Sequence, residues 1–191
     1  MKRFALIICA LAISSPLALT QSSTWTSDPA HSQVEFSISH LTVTTVHGHF
    51  GKVAATLQFN DADITQSSVN ATIDVTNVDT GESPRDSVLK SSDFFDVDKF
   101  PTATFVSTRV ARNGKKLTIT GQLTVRGVTR PVVLEADGPT QVIASPDHRP
   151  HTTFSATTTI SRTAFGIATM FPDMVAGDDA KLTINLEVVK Q

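Results

Sequence analysis

The stretch VEFSISH, residues 34–40, alternates strictly along the chain. In an extended backbone, Val34, Phe36, Ile38 and His40 fall on one face, and a glutamate and two serines fall on the other. A period of two is the pattern of a strand that turns one face toward a core. The stretch therefore predicts a β-strand and makes its inward face the first candidate lining of an interior.

Seven further segments repeat this alternation. They are residues 49–59, 69–78, 103–111, 116–125, 132–136, 153–161 and 181–189. Short turn signals such as Asn113-Gly114 separate them, and most gaps are too short for a crossover helix, so the strands should be antiparallel. Only residues 84–92, with Pro84 in a helix-starting position, have the character of a helix. We predict an all-β domain of eight antiparallel strands with one short helix.

Eight such strands can close into a barrel or pack as a sandwich, and alternation alone does not choose between them. The inward positions include the small residues Ala71, Gly121 and Ala156, which leave interior volume unfilled. This favours the barrel slightly. An eight-stranded barrel is just wide enough to hold one small ligand.

The amino terminus has the three parts of a secretory signal. Lys2 and Arg3 precede an apolar run, and small and polar residues follow. We expect residues 1–23 to be a cleaved signal peptide, with the cleavage position left open, and residues 24–191 to form one exported domain. The only cysteine, Cys9, lies in that leader, so the mature chain should have no disulfide. The net charge of −2 gives no reason to expect nucleic acid as a partner.

Two apolar segments interrupt the strand pattern. SSDFFDVDKFPTATF, residues 91–105, holds four of the eleven phenylalanines in a chain without tyrosine. In an extended segment Phe94 and Phe95 would point to opposite sides, one inward and one as an anchor. FGIATMFPDMV, residues 165–175, is too apolar for an ordinary exported loop. It either covers a barrel mouth or folds over the core as a plug, and core packing remains the alternative for the phenylalanines.

The motifs of the chain resemble those of the YceI-like family of periplasmic lipid-binding proteins. The resemblance is carried by HLTVTTVHGHF (40–50), VDTGESPRDSVLKSSDFFDVDKFPTATFVST (78–108), GQLTVRGVTRPVVL (121–134) and SRTAFGI (161–167). It implies a lipocalin-like barrel in the periplasm that holds an isoprenoid lipid or quinone. Ala164 stands where the family usually has aspartate, which puts a carboxylate bridge to Arg162 in doubt.

An isoprenoid chain needs apolar area rather than hydrogen bonds, and phenylalanine supplies it without a polar group. The expected ligand-binding residues combine the inward strand face, the two apolar segments and one arginine. They are Phe36, Ile38, His40, Phe50, Phe94, Phe95, Phe105, Arg162, Phe165, Ile167, Met170 and Phe171. Of the phenylalanines in residues 91–105, we expect Phe94 or Phe95, together with Phe105, to touch ligand.

The polar candidates have competing structural interpretations. His40 is either a core histidine or a group near the ligand, and Arg85, Arg126 and Arg162 either form structural pairs or bind a polar head group. His47-Gly48-His49 has the spacing of a metal pair on a strand, but no third ligand accompanies it, so we predict no metal site.

No catalytic motif is present, and we predict a binding protein without a cofactor. An enzyme that modifies a prenyl lipid and a filled barrel that serves as an interaction module remain alternatives. The expected partners are an apolar lipid, the membrane in transient contact only, and a second copy of the chain in a homodimer.

Overall fold

Antiparallel strands make up most of the chain in the computed structural model, which describes residues 22–146 and 148–191. The strands are β1 (Ser22–Ser27), β2 (Gln33–His40), β3 (Thr44–His49), β4 (Val53–Asn60), β5 (Ser68–Asp74), β6 (Thr102–Asn113), β7 (Lys116–Val125), β8 (Val128–Asp137), β9 (Ile143–Ala144), β10 (Pro150–Ser161) and β11 (Ala176–Lys190). One α-helix, α1 (Ser83–Lys90), follows β5, and single 3-10 turns span Ile64–Gln66 and Thr163–Phe165.

Eight of these strands form a closed ring. The order runs β11, β1, β4, β5, β6, β7, β8 and β10, and β10 pairs with β11 to close it. The closing ladder is long and regular, from His151 opposite Val189 to Ser161 opposite Asp179. The predicted eight-stranded antiparallel barrel with one helix is therefore confirmed, and the sandwich is excluded because no strand of the ring has a free edge.

The hairpin of β2 and β3 extends the barrel wall at one end. β1 pairs with the last residues of β11, whereas β2 pairs with the same strand between Ala176 and Asn185. β1 and β2 therefore lie end to end along the same side of β11. In the next position of the wall, β4 pairs with β1 and β3 pairs with β2. We call the end that carries this hairpin the hairpin end. The connections between strands that end there lie at the same end, and they are α1, residues 91–101 and residues 162–175.

Several predicted boundaries differ from the structure. β1 was not predicted, although Trp25 in it is 5% exposed and closes a core cluster. The predicted strand 49–59 begins at Val53, because a turn after His49 separates β3 from β4. The predicted strand 69–78 ends at Asp74, whose carboxylate accepts hydrogen bonds from the amide and hydroxyl of Thr76 and turns the chain.

The end of the barrel opposite the hairpin end is packed solid. Trp25, Phe59 and Phe154 form a row of rings with centroids 6.4 Å apart at each step. Ile64 and Leu117 seal the interior beside that row. These apolar side chains occupy the interior at this end.

The small inward residues have a different role from the one expected. The ring of Phe105 occupies the space over Gly121, where any side chain would overlap it. Ala156 belongs to the packed core cluster around Leu117. These positions are therefore filled by neighbouring side chains, and the open volume of the barrel lies elsewhere.

The expected signal peptide falls almost entirely outside the described residues. Its last two residues, Ser22 and Ser23, pair with Asn60 and Phe59 as the start of β1. Within residues 22–146 and 148–191 no helix is long and apolar enough to cross a membrane.

Candidate ligand-binding cavity

A cavity of about 330 Å³ lies inside the hairpin end of the barrel. Its wall is built from the inward faces of strands, from one face of α1 and from the two apolar segments. The apolar lining residues are Val34, Phe36, Ile38, Val46, Phe50, Ile73, Val75, Val88, Leu89, Phe94, Phe95, Ala103, Leu123, Val125, Ile160, Ile167, Phe171, Val175, Ala176, Ala180 and Leu182. Among the described residues of the wall, only Ser39, His40, Arg85 and Arg162 add polar groups.

Phenylalanine rings form a continuous part of this wall. Phe36 and Phe50 stack tilted at 5.2 Å between centroids, and Phe95 meets Phe50 edge-on at 5.5 Å. On another side, Phe94 lies 5.8 Å from Phe171 and joins the two apolar segments. Such contacts hold the rings in place while their remaining surface faces the cavity.

Both members of the phenylalanine pair line the cavity, contrary to the expectation that they point to opposite sides. The reason is local geometry. Residues 92–95 form turns rather than an extended segment, and Asp96 adopts a positive φ of 51°. Two successive side chains in a tight turn can face the same way, which an extended chain does not allow.

Arg162 organises the segment that closes the cavity. Its side chain is 4% exposed, and the nearest carboxylate oxygen, on Asp173, is 3.7 Å from Nη2. The guanidinium donates hydrogen bonds to five backbone carbonyls, those of Ile167, Ala168, Phe171, Ala176 and Gly177. A guanidinium so occupied serves first to fix residues 167–177, and it presents few free donors to a ligand.

Arg126 and Arg130 connect the covering segments to the barrel. Arg126, in the tight turn between β7 and β8, donates to the carbonyls of Gly166 and Ser92. Arg130 donates to the carbonyl of Ala164. These contacts favour the structural interpretation of the arginines over head-group binding.

Asp178 anchors the same segment at the start of β11. Burial opposes its ionisation, but hydrogen bonds from the hydroxyls of Ser161 and Thr163 and from the Thr163 amide outweigh it and hold the pKa of Asp178 below its usual value. The Thr163 hydroxyl lies 2.6 Å from the carboxylate. The ionised form is therefore part of the folded arrangement beside the cavity.

Arg85 and His40 are polar groups at the mouth. Arg85 donates to the hydroxyl and the carbonyl of Thr80, at 2.7 and 2.9 Å. The Thr80 hydroxyl and amide in turn bind the Asp86 carboxylate and lower its pKa. His40 is exposed at the end of β2 and contributes to the cavity wall, so it is a mouth residue rather than a core histidine.

Five large apolar side chains at the mouth are exposed. Each belongs to the lining or to a turn that continues it, and all are at least 48% exposed. We call this set the apolar rim, and it consists of Leu41, Val43, Val88, Met170 and Met174. The Leu41 amide bonds the Val175 carbonyl, which joins the hairpin side of the rim to the segment that carries the two methionines.

Nine of the twelve expected ligand-binding residues lie on the cavity wall. They are Phe36, Ile38, His40, Phe50, Phe94, Phe95, Arg162, Ile167 and Phe171. Phe105 instead packs over Gly121, Phe165 is 2% exposed within the main core cluster, and Met170 is 62% exposed on the rim. Whether any of the twelve touches a ligand stays a prediction.

Different residues of the segment 165–175 fit its two interpretations, a plug over the core and a cover of the barrel mouth. Phe165, Ile167 and Ala168 are buried in the main core cluster and act as a plug. Phe171 and Val175 form cavity wall. Sequence reasoning missed the contribution of α1, whose Val88 and Leu89 line the cavity; an adjacent apolar pair in an otherwise polar helix was the available signal.

Comparison with known proteins places the chain in a family. The model of the YceI-like domain matches residues 25–188, and the chain belongs to that family. Protein YceI of Salmonella newport is 44% identical over 106 residues, which is 56% of each chain, so the match spans about half the length of this curated relative.

Solved structures share the fold. BcnA of Burkholderia cenocepacia superposes with a TM-score of 0.74 at 27% identity, covering 84% of this chain and 98% of that one. A polyisoprenoid binding domain from Saccharophagus degradans, implicated in plant cell wall breakdown, gives a TM-score of 0.61 at 15% identity, covering 90% of this chain and all of that one.

Proposed function

We propose that this member of the YceI-like family binds an isoprenoid or similarly apolar lipid in its barrel and stores or carries it in the periplasm. The observation that carries the proposal is the composition of the cavity wall, which is apolar apart from four residues. Such a wall offers burial and few hydrogen bonds, which suits a hydrocarbon chain and disfavours a polar metabolite.

The size of the cavity indicates how much of a chain it encloses. At about 30 Å³ per non-hydrogen atom, the liquid volume of a water molecule, it holds about eleven atoms. That is close to two isoprene units of five carbons. A longer ligand would continue through the mouth and lie against the apolar rim.

The family and its structural relatives support a binding role. The named function of the Saccharophagus degradans domain is polyisoprenoid binding, and at 15% identity the likeness to this chain is one of fold. The expected signal peptide supports the periplasmic location. The cavity argues against the filled-barrel alternative, because a filled barrel needs no apolar volume at one end.

The rim supports the expected transient contact with membrane. Exposed Met170 and Met174 are 62% and 66% accessible, next to lining residues, so a lipid could pass from a bilayer to the cavity without crossing water. Flexible thioether side chains adapt to such a surface. The homodimer stays a prediction without an observation that favours it.

Lipid extraction tests the binding role directly. The full chain would be expressed with its leader, recovered from the periplasmic fraction and extracted with organic solvent for mass spectrometry. We expect an isoprenoid quinone or polyprenyl lipid at close to one molecule per chain. Recovery only in the cytoplasm would contradict the location. Failure of the extract and of reconstitution with ubiquinone, undecaprenyl phosphate and palmitate to show bound lipid would contradict the binding.

Vesicle transfer tests the rim separately. Replacing Met170 and Met174 together with serine should slow transfer of a fluorescent isoprenoid between vesicles by a larger factor than it weakens equilibrium binding. Val133→Ser is the matched control, since Val133 is 47% exposed on β8 and is not a lining residue. Equal slowing by both variants would refute a special role of the rim.

A further inference from the structure

A second cluster of ligand-type side chains lies on the outer face of the barrel, away from the cavity. We propose that Asp28, His31, His151 and Glu187 bind a divalent transition metal, with Zn²⁺ as the best fit. Ligand atoms of Asp28, His31 and Glu187 all lie within 4.8 Å of one another. His151 Nδ1 lies 2.7 Å from Glu187 Oε1 and completes two imidazoles and two carboxylates.

The two pairs already have nearly the spacing of a zinc site. Metal–ligand bonds of about 2.0–2.2 Å in a tetrahedron put neighbouring ligand atoms about 3.3 Å apart. His31 Nδ1 lies 3.2 Å from Asp28 Oδ2, and the His151–Glu187 pair is tighter by about half an ångström. Glu187 joins the two pairs, because it offers a ligand atom within 4.8 Å of those of Asp28 and His31 and also contacts His151.

The backbone around the cluster is fixed before any metal binds. The Asp28 amide donates to the Glu187 carbonyl at 2.8 Å, and the Ser32 hydroxyl binds both the carbonyl and the amide of Glu187 at 3.2 Å. The Asp28 carboxylate also accepts from the Ala30 amide, which shapes the turn that returns His31 over it. Two strands and one turn thus present their donors together, as a preorganised site requires.

The outward direction of Glu187 follows from its neighbours. Leu186 and Val188, on either side of it in β11, pack into the core clusters. Glu187 therefore points out of the barrel, toward the connection between β8 and β10 that covers His151. Cavity lipid and metal would not compete, so this proposal stands independently of lipid binding.

Charge and donor type favour a transition metal. Two carboxylates balance a doubly charged cation, and no lysine or arginine is among the described residues that line this concavity of about 320 Å³. Imidazole donors favour Zn²⁺, Cu²⁺ or Ni²⁺ over Mg²⁺ and Ca²⁺, which prefer oxygen ligands alone. His31 is 63% exposed, which leaves a route of entry for the ion.

Calorimetric titration of the chelator-treated chain with ZnCl₂ tests the site, using protein without a polyhistidine tag. We expect one Zn²⁺ per chain with a micromolar or tighter Kd, and no competition from millimolar Mg²⁺. His31→Gln should weaken binding about tenfold or more and remove the rise in Tm that Zn²⁺ causes. Because the His31 side chain is exposed, this variant should fold as wild type does, and Glu187→Gln should act in the same direction.

His49→Gln is the matched control. His49 is also an exposed histidine near a carboxylate, 3.9 Å from Asp79, but belongs to no such cluster. The proposal is overturned if wild type binds Zn²⁺ no more tightly than about 100 µM, a free energy of about −5.5 kcal/mol. It is equally overturned if His31→Gln binds as wild type does, or if the control loses as much affinity. Any of these three results would leave the cluster as two ordinary pairs of a histidine and a carboxylate.

Discussion

Filling the cavity from its wall should weaken lipid binding by a calculable amount. Ala103 lies on β6, is 6% exposed and lines the cavity. Ala103→Leu adds three carbon atoms, which at about 30 Å³ each remove roughly a quarter of the volume of about 330 Å³. Three ligand methylenes then lose their place, at about 0.8 kcal/mol each. The expected loss is about 2.4 kcal/mol, or about 60-fold in Kd.

Farnesol, with three isoprene units, is a suitable probe for isothermal titration calorimetry. Ala54→Leu is the matched control, because Ala54 is exposed on the outer face of β4 between the buried residues Val53 and Ala55. It adds the same three carbons outside the barrel and should bind as wild type does. Urea unfolding should show that both variants fold. Binding by Ala103→Leu within about threefold of wild type would refute the reasoning, because the ligand would then not occupy this volume.

Three further predictions concern the parts that shape the cavity. Gly121→Ala should cost roughly 1–3 kcal/mol in urea unfolding, since a methyl there overlaps the Phe105 ring and the backbone carbonyl of Val106. Gly48→Ala should cost less, because its nearest neighbours are the side chains of Phe36 and Thr80, which yield more readily than backbone; the reverse order would contradict the packing account. Arg162→Lys should cost about 3 kcal/mol, because one ammonium cannot satisfy the five carbonyls that the guanidinium binds. It should also speed hydrogen exchange in residues 167–177, and unchanged exchange would argue against the role of Arg162 as an anchor. The depressed pKa of Asp178 stabilises the fold above the pKa of the unfolded chain, and this contribution is lost as pH falls through the folded pKa. Asp178→Asn should therefore flatten the loss of stability as the pH falls below about 4; an identical acid profile would contradict this.

The strand pattern was readable from the sequence because alternation is local. Residues 34–40 and 116–125 were predicted to within a residue of β2 and β7, since each strand has one buried and one exposed face. Trp25 and its strand were missed, because β1 is short, mostly polar and attributed in part to the signal peptide. Its place is set by pairing with β4 and β11, which lie far away in sequence.

Alternation predicted which candidate side chains point inward, but not which of them border the cavity. Phe36 and Ile38 were identified from alternation, and the structure places them on the cavity wall. Phe105 is inward by the same alternation, yet its ring fills the space over Gly121 on the neighbouring strand. The register between β6 and β7 places the Phe105 ring over Gly121, and the sequence of one strand does not specify its register with the next.

The proposed metal cluster could not be predicted from local sequence patterns. His47 and His49 are candidate metal ligands by sequence because they are close together along the chain. The proposed cluster instead comes from three distant segments, which contain Asp28 and His31, His151, and Glu187. Only the pairing of β10 with β11 and the turn that follows β1 bring them together.

By itself, the sequence determined the all-β class, the antiparallel strands, the family and most of the apolar residues that form the interior. The tertiary structure alone decided that one end of the barrel is packed and the other open, and which inward side chains border the open end. The physical reason is that hydrophobic patterning specifies which face of a strand leaves water, while the space left behind that face depends on side chains delivered by other strands and by the segments 91–101 and 162–175.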